Sequence, residues 1–313
     1  MLMSNLKGTV VLVTGGAGAI GGNLCRRLLK ENCRKVIVLD DLSSGYEENI
    51  PKSRKIVFMY GSILDDSKMK ETFKDGIDIV FHLAANFANQ SSVEYPERDL
   101  NVNGVGTLKV LDYAKKNGVR KFIFASSSSV YGNTEGSVTE YKRKFRPDTP
   151  YALTKLLGEG YVRFYNRYHN LDTVILRYFN CFGPGEWPGK FRNVIPNFIY
   201  LALNNRSLTI TGTGEETRDY NFVDNAIDGT ILAVESNNST GKIYNIGSGS
   251  EIKIIDIAKI INKLTGNSGP IVYSKRRKWD RIARRLADID KAKKELGYKP
   301  KYTVEPQIAL TID

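Results

Sequence analysis

Tyr151 and Lys155 are the residues whose types and spacing best suit proton transfer. They lie in residues 148–155, DTPYALTK, where Thr149 is a suitable helix N-cap and Pro150 a suitable first helical residue. A separation of four places both side chains on one helix face, near its N-terminal end. A phenol is a poor base at neutral pH, but a neighbouring ammonium and the positive end of a helix both favour the phenolate. The spacing therefore predicts that the phenolate of Tyr151 is favoured.

A serine-rich loop supplies a second hydroxyl. Residues 125–132, ASSSSVYG, directly follow an apolar run, residues 121–125, that is typical of a strand. A serine of this loop can donate to the substrate oxygen that the phenol approaches, so that a hydroxyl or ketone is held between Ser and Tyr. The Y-x-x-x-K pattern alone is also typical of an exposed helical pair. The neighbouring sequence elements therefore decide between a catalytic pair and an exposed helical pair.

The N-terminal segment supplies the strongest such element. Residues 9–22, TVVLVTGGAGAIGG, contain an apolar strand at 10–13 and then Gly15, Gly18 and Gly21. Glycines at this spacing permit a tight strand-to-helix turn and let backbone N–H groups approach a pyrophosphate. A second apolar run, Lys35–Asp40, ends in an acid 25 residues after Gly15. Asp40 can accept the ribose hydroxyls of NAD and disfavours the extra phosphate of NADP, although Asp40 or Asp41 could also simply cap a turn.

Strands and helices alternate through the first half of the chain. Strands are predicted at Ile56–Tyr60, 77–83 and 173–178, and helices at 67–73, 98–117 and 151–168. Ser67 is the predicted N-cap of the first helix, and Gly118 the C-cap of the second. His82 is interpreted as a packed residue rather than a catalyst. The alternation predicts an α/β fold with a Rossmann-type doubly wound parallel sheet, whose site lies at the carboxyl ends of the strands.

The regular alternation of strand and helix patterns ends after residue 179. Glycine and proline punctuate residues 183–189, and a helix at 195–204, a strand at Leu208–Thr211 and an amphipathic helix at 253–264 follow. We expect a dinucleotide-binding domain at residues 1–179, to which 219–247 return. A smaller C-terminal α/β substrate lobe is expected from residues 180–218 and 248–313.

Composition excludes several classes of protein. The 313-residue chain has three cysteines without a C-x-x-C pair and only two histidines, which disfavours a disulfide framework, a metal site and a Ser-His-Asp triad. No window reaches membrane-span length, and residues 1–8, MLMSNLKG, lack the pattern of a signal peptide. We expect a cytoplasmic enzyme without a membrane partner.

The net charge of +12 is concentrated late in the chain. Three interpretations are a nucleic-acid patch, a cradle for a polyanionic small molecule and a solvated basic face. The aromatic residues are not interleaved with the basic ones as stacking platforms, which disfavours nucleic acid. The basic cluster consists of Lys275, Arg276, Arg277, Lys278, Arg281, Arg284 and Arg285.

Taken together, these motifs resemble the extended short-chain dehydrogenase/reductase family, and within it the NAD-dependent nucleotide-sugar epimerases and dehydratases. The resemblance runs from about residue 7 to residue 302. It includes TGGAGAIG, Asp40, HLAA from His82, NVNGVGT around Asn103, SSSSVYG, YALTK, RYFNCFGPG around Asn180, and the loop ending in Arg218 and Asp219.

The resemblance implies roles for individual residues. Ser127 would be the hydroxyl partner, Tyr151 the base and Lys155 its activator. On the nucleotide-sugar substrate, Asn180 would touch the pyrophosphate, Arg218 and Arg277 the phosphates, and Asp280 the nucleotide ribose. Between Arg277 and Asp280 the family commonly has a Pro-Gly-type pair, and this chain has Lys278 and Trp279 there instead. Further substrate contacts are expected at Ser128, Asn193 and Val194. NAD contacts are expected at Gly15, Gly18, Ala19, Ile20, Gly21, Asp40, Asp41, Leu42, Ser43, Ser62, Ile63, Leu83, Ala84, Ala85, Asn103, Ala125, Tyr151, Lys155 and Tyr178.

Departures from the family patterns separate the possible reactions. Dehydratases carry Asp-Glu where this chain has Ser128 and Ser129, and the glutamate of related decarboxylases is also missing. The loop instead looks like that of UDP-glucose 4-epimerases, which implies a UDP-hexose 4-epimerase that retains its NAD. A 4-keto-sugar reductase, a 2-epimerase and, less favoured, a dehydratase or a non-catalytic nucleotide sensor remain alternatives. The position that often gates sugar size falls at Arg284 or Arg285. The family commonly forms homodimers through two helices per subunit, here 98–117 and 151–168.

Overall fold

The structure is a computed structural model that describes residues 5–134, 136–141, 145–280 and 282–312. Arg281 of the basic cluster, and residues 1–4 of the segment inspected for a signal peptide, lie outside these ranges. Within the described ranges, no helix is long and apolar enough to cross a membrane.

A parallel sheet of seven strands forms the centre of the fold. Its order is β12-β7-β5-β4-β1-β2-β3, and every neighbouring pair is parallel. The predicted doubly wound sheet is thereby confirmed. The strands of the protein are β1 (Val10–Thr14), β2 (Lys35–Asp40), β3 (Ile56–Tyr60), β4 (Ile79–His82), β5 (Lys121–Ser127), β6 (Ser137–Val138), β7 (Asp172–Tyr178), β8 (Cys181–Phe182), β9 (Leu208–Thr211), β10 (Thr217–Arg218), β11 (Asn221–Phe222), β12 (Ile243–Ile246), β13 (Ile252–Lys253), β14 (Ile271–Ser274) and β15 (Arg284–Ala287).

Helices cover both faces of this sheet. All five residues of β1 are buried, with Val11 and Val13 packing in one hydrophobic core and Val10 and Leu12 in the other. This explains why the strand is apolar throughout instead of alternating. The helices are α1 (Ala19–Lys30), α2 (Asp66–Phe73), α3 (Asn89–Glu94), α4 (Pro96–Asp99), α5 (Thr107–Lys116), α6 (Pro150–His169), α7 (Val194–Leu203), α8 (Val223–Glu235), α9 (Ile254–Thr265), α10 (Asp290–Leu296) and α11 (Val304–Ile312).

Two predicted helix ends differ in the structure. Asp65, not Ser67, is the N-cap of α2, because its carboxylate accepts hydrogen bonds from the backbone N–H groups of Ser67 and Lys68. The helix predicted at 98–117 consists of α4, a π-helical stretch at Leu100–Gly106 and α5. Its C-cap is Asn117, and Gly118 follows at a φ of 67°, the left-handed conformation that glycine tolerates.

Three smaller sheets lie outside the central sheet among the described residues. One has the order β13-β10-β15-β6, and two further pairs are β14 with β9 and β11 with β8. β6, which follows the serine loop, thus pairs with β15 near the C-terminus. β12 lies at the edge of the central sheet beside β7, which supports our proposal that residues 219–247 return to the first domain.

Candidate active site

A cavity of about 500 Å³ runs along the carboxyl ends of the central strands. Gly15, Asp40, Ser127, Tyr151 and Arg218 all line it, and Arg218 lies on β10 of the four-stranded small sheet. These residues are separated by up to about two hundred positions in sequence, and the parallel sheet brings them together because its strands all end at the same edge.

The glycine turn at the cavity is closely packed. Gly15 has a φ of 73°, and a Cβ there would lie 2.6 Å from the backbone nitrogen of Ala84. A Cβ on Gly21 would lie 2.2 Å from the carbonyl oxygen of Gly15. Gly18 is the N-cap of α1 and provides no side-chain cap, so the first backbone N–H groups of that helix remain available to an anion beside the cavity.

Asp40 holds this turn in place from the end of β2. Its Oδ2 accepts a hydrogen bond from the Ala17 N–H at 2.9 Å, and its Oδ1 accepts one from the Leu42 N–H, also at 2.9 Å. Burial raises the pKa of Asp40, and these two N–H donors oppose that rise. The carboxylate therefore caps a turn and also lines the cavity, so the two interpretations of this acid are compatible.

Most other residues expected at the cofactor line the same cavity. They are Ala19, Ile20, Asp41, Ser43, Ser62, Ile63, Leu83, Ala84, Ala85, Ala125 and Tyr178. Leu42 and Asn103 are not among its lining residues. Asn103 is buried, accepts a hydrogen bond from the Asn86 N–H and donates to Asp99 and Thr154. It positions the loop after β4 against α6.

Tyr151, Ser127 and Lys155 meet at the centre of the cavity. Thr149 caps α6, accepting a hydrogen bond from the Ala152 N–H, and Tyr151 follows within the first turn. The Ser127 hydroxyl lies near enough to the phenol of Tyr151 to lower its pKa, and its Oγ accepts a hydrogen bond from the Ser129 N–H at 3.1 Å. Lys155 donates to the carbonyl oxygen of Ala125 at 2.8 Å, and its Nζ lies 5.8 Å from the centroid of the Tyr151 ring. The three side chains therefore line the same part of the cavity, where a substrate oxygen could meet the two hydroxyl groups.

The pKa of Tyr151 corrects the expectation from sequence. Burial raises the pKa of this phenol above its ordinary value, and the nearby Ser127 hydroxyl only partly opposes the rise. Burial also lowers the pKa of Lys155 to about 8, against the opposing charges of Asp99 and Glu159. Counting nearby charges ignores the cost of desolvating the phenolate, which dominates here. Tyr151 is therefore a neutral phenol in the ligand-free protein.

His82 is a packed residue, as predicted. Its Nδ1 lies 2.7 Å from the Thr14 hydroxyl and its Nε2 lies 3.0 Å from the Thr107 hydroxyl. Burial lowers its pKa to about 3, so the ring is neutral at physiological pH.

The far end of the cavity contains the residues expected to contact substrate. Asn180 donates to the Asp219 carbonyl oxygen, and Asn193 donates to the Glu186 carboxylate. Arg218 donates to two backbone carbonyl oxygens and lies 3.8 Å from Asp280. Ser128, Asn180, Asn193, Val194, Arg218, Arg277 and Asp280 all line the cavity.

Sequence reasoning missed a buried ionic network behind the serine loop. Arg177 and Glu159 form a bidentate ion pair at 2.8 and 2.7 Å, and neither side chain is exposed. Arg177 also donates to the hydroxyl of Tyr131, the last residue of the 3₁₀ turn that follows Ser127. Glu159 lies four residues after Lys155 on the buried face of α6, and an acid at such a position is a signal for a buried partner.

The two arginines at the expected size-gating position have different surroundings. Arg284 is paired with Glu251 and its side chain is 42% exposed. Arg285 is buried and lines the cavity. Of the two arginines, only Arg285 lines the cavity.

Comparisons with known proteins agree with this geometry. The profile described as the NAD dependent epimerase/dehydratase family matches residues 11–247. A putative UDP-glucose 4-epimerase of Methanocaldococcus jannaschii is 35% identical over 97% of both chains. The structure of an epimerase from Methanothermobacter thermautotrophicus is 47% identical, with a TM-score of 0.97 over 100% of this chain and 94% of that one. The UDP-glucose 4-epimerase of Thermotoga maritima, solved with UDP-glucose, is 35% identical, with a TM-score of 0.91 over 97% of each.

Proposed function

Because the chain belongs to the NAD-dependent epimerase/dehydratase family, we propose that it is a nucleotide-sugar 4-epimerase acting on a UDP-hexose. The observation that carries the proposal is the convergence of Ser127 and Tyr151 in a cavity where the next two residues are Ser128 and Ser129. Water elimination would require an acid and a base in addition to the pair that serves oxidation, and neither serine supplies one. The UDP-glucose 4-epimerases among the relatives support the same reaction.

The cavity suits the family's cofactor. The turn around Gly15 leaves no room for a Cβ, and the uncapped start of α1 favours a pyrophosphate. The Asp40 carboxylate can accept from ribose hydroxyls and disfavours a 2′-phosphate, so NAD rather than NADP is the expected form. When bound, NAD supplies a hydride acceptor at sugar C4 and returns the hydride after the 4-keto sugar has turned over.

Tyr151 and Ser127 act on the 4-hydroxyl of the sugar in this cycle. Tyr151 accepts the proton of the sugar 4-hydroxyl, and the Ser127 hydroxyl holds the same oxygen by a second hydrogen bond. The phenolate requires nearby positive charge, because burial alone raises the pKa of Tyr151. Lys155 supplies part of that charge from the same helix face. Reversing the proton transfer after the ketone has rotated gives the inverted alcohol.

The nucleotide is held at the other end. The guanidinium groups of Arg218 and Arg277 match phosphate oxygens, and Asn180 lines the same cavity. Asp280 can accept from a ribose hydroxyl. These contacts would leave the sugar free to rotate while the diphosphate stays fixed.

A loop across the cavity supports retention of the cofactor. Asn23 donates to the carbonyl oxygen of Pro184, and Asn49 donates to that of Gly185. The rings of Tyr46 and Trp187 also pack together at 5.4 Å. These contacts tie the loop after β8 to the segments around the glycine turn. A net reductase must exchange its cofactor at every turnover, so this arrangement disfavours the reductase alternative.

We expect the purified protein, with no nicotinamide added, to convert a UDP-hexose into a product of unchanged mass and inverted C4 configuration. The assay supplies UDP-, dTDP-, CDP- and GDP-sugars separately and analyses the products by mass spectrometry and proton NMR. Heat-denatured protein is the control. Inversion at C2, loss of water, or reaction only with a keto sugar and NADPH would each replace the 4-epimerase by one of the alternatives.

We also propose a homodimer through the face that α6 forms with the helical segment at 98–117, whose exposed apolar residues lie in its π-helical stretch. This face exposes several apolar side chains, namely Leu100 (47%), Val105 (43%), Leu153 (55%), Leu157 (41%), Phe164 (46%) and Tyr168 (64%). Burying such a surface against a second copy removes it from water. Light scattering should give twice the monomer mass, and Leu157→Glu should shift it to the monomer. Leu203→Glu, on the equally exposed end of α7, should stay dimeric; a monomeric wild-type protein would contradict the proposal.

A further inference from the structure

Arg285 has no use in the reaction described so far, although it lies in the reaction cavity. It follows Arg284 on β15, and adjacent residues of a strand point to opposite faces. Arg284 points to Glu251, whereas Arg285 points inward and is only 4% exposed. The strand is held in this register by β10 on one side and β6 on the other.

The guanidinium of Arg285 is incompletely paired. Its Nη2 donates to the carbonyl oxygen of Gly132 at 3.2 Å. Its Nε is buried and has no hydrogen-bond partner within the part of the chain that the structure describes. No carboxylate of those residues forms an ion pair with it. A buried cation without a counterion is costly to a protein, so an arginine kept in this state is expected to meet an anion that arrives with a ligand.

Arg285 remains charged at physiological pH. Burial and the charge of Arg218 lower its pKa to about 9, and the carboxylates of Asp280 and Asp148 oppose that fall. These acids are near enough to act through their charge but not to satisfy its donors. The unpaired Nε–H is therefore part of a positively charged guanidinium.

The position of Arg285 along the cavity indicates which part of the substrate it meets. Gly132, its hydrogen-bond partner, ends the serine loop, and Asp148 immediately precedes the cap of α6. Both elements carry the hydroxyl groups that hold the sugar oxygen. Arg218, on the other side, is expected at the diphosphate. We therefore expect Arg285 to lie beside the sugar of a bound substrate, near both the serine loop and Arg218.

We propose that Arg285 binds a carboxylate on the sugar ring, so that the favoured substrate is a nucleotide sugar of the uronate class rather than a neutral hexose. The inference rests on the proposed function, since it specifies the sugar of that same reaction. A guanidinium offers parallel N–H donors that match the two oxygens of a carboxylate. A neutral sugar could offer only a hydroxyl oxygen to the Nε–H and no charge to pair with the buried guanidinium, so the carboxylate should bind better.

The test compares UDP-glucuronate with UDP-glucose, using NAD-loaded wild-type protein. We expect kcat/KM and the calorimetric affinity to favour UDP-glucuronate by at least about 10-fold. Arg285→Gln should reduce this preference by about 10-fold or more and so bring the two sugars near parity, because it removes a charge-assisted contact. Arg285→Lys should retain part of the preference as a point charge. Arg284→Gln, which removes the neighbouring exposed arginine, should preserve it.

Two results would overturn the inference. The first is equal affinity of the wild-type protein for the two sugars. The second is an Arg285→Gln variant that loses affinity for UDP-glucuronate, UDP-glucose and UDP alike, because that result would assign Arg285 to the diphosphate. The calorimetric comparison does not depend on turnover. If no sugar is epimerised but the binding preference and its loss in Arg285→Gln are seen, the proposed reaction fails and the carboxylate site stands.

Discussion

Tyr151→Phe is expected to lower kcat by about 10²–10⁴-fold while the protein keeps its bound cofactor. The substitution removes only the hydroxyl, and with it the group that accepts the proton of the substrate. The ring remains and continues to pack in its buried position against Phe87. KM should change much less than kcat, because the phosphate-binding residues are untouched.

Tyr165→Phe provides the matched control for this variant. Tyr165 lies on the same helix, and its hydroxyl donates to Asp112 at 2.6 Å, away from the cavity. Removing that hydroxyl should leave kcat within about twofold of wild type, since the lost hydrogen bond touches neither the cavity nor the reacting atoms. Bound NAD, released by denaturation and quantified, should be equal in all three proteins. Full activity in Tyr151→Phe would show that another group is the base.

Glu159→Gln is expected to destabilise the protein by about 3–5 kcal/mol, the largest effect on folding that we predict. Burial by itself would lower the pKa of Arg177, but the hydrogen bonds and charge of Glu159 raise it above its ordinary value. Without the carboxylate, a fully buried guanidinium has no counterion among its described contacts. The apparent Tm should fall by roughly 6 °C or more, measured by calorimetry or circular dichroism.

Two further variants separate charge burial from loss of a contact. Arg163→Gln removes the half-exposed arginine on the same carboxylate, and its cost should stay below about 1 kcal/mol. The double variant Glu159→Leu/Arg177→Met should be more stable than Glu159→Gln, because it removes both charges of the pair and leaves no buried guanidinium without a counterion. If Glu159→Gln and Arg163→Gln were equally stable, the buried pair would not be the source of the effect.

The same network affects the site. Glu159 also accepts a hydrogen bond from Ser126, and Arg177 anchors the hydroxyl of Tyr131, so the serine loop is held at both of its ends. Tyr131 in turn donates to Asn245 on β12. A folded Glu159 variant is therefore expected to lose activity through misplacement of Ser127, although Glu159 itself does not line the cavity.

The amino-acid sequence by itself determined the central sheet and the motifs at its edge. Apolar runs such as Lys35–Asp40, the glycines around Gly15 and the four-residue spacing of Tyr151 and Lys155 are local patterns, and local backbone preferences are sufficient to place them on strand, turn and helix. They also sufficed to identify the family. Asp65 instead of Ser67 at the N-cap shows the limit of such patterns, because both residue types can cap a helix.

Only the tertiary structure decided the pKa values of buried groups and the direction in which individual side chains point. The raised pKa of Tyr151 follows from burial by elements distant in sequence, and the pair of Arg177 with Glu159 joins β7 to α6. Whether Arg284 or Arg285 enters the cavity depends on the register of β15 with β10 and β6. A shift of one residue would exchange them, because side chains alternate between the two faces of a strand. That register is a property of long-range pairing, which no local pattern in the sequence records.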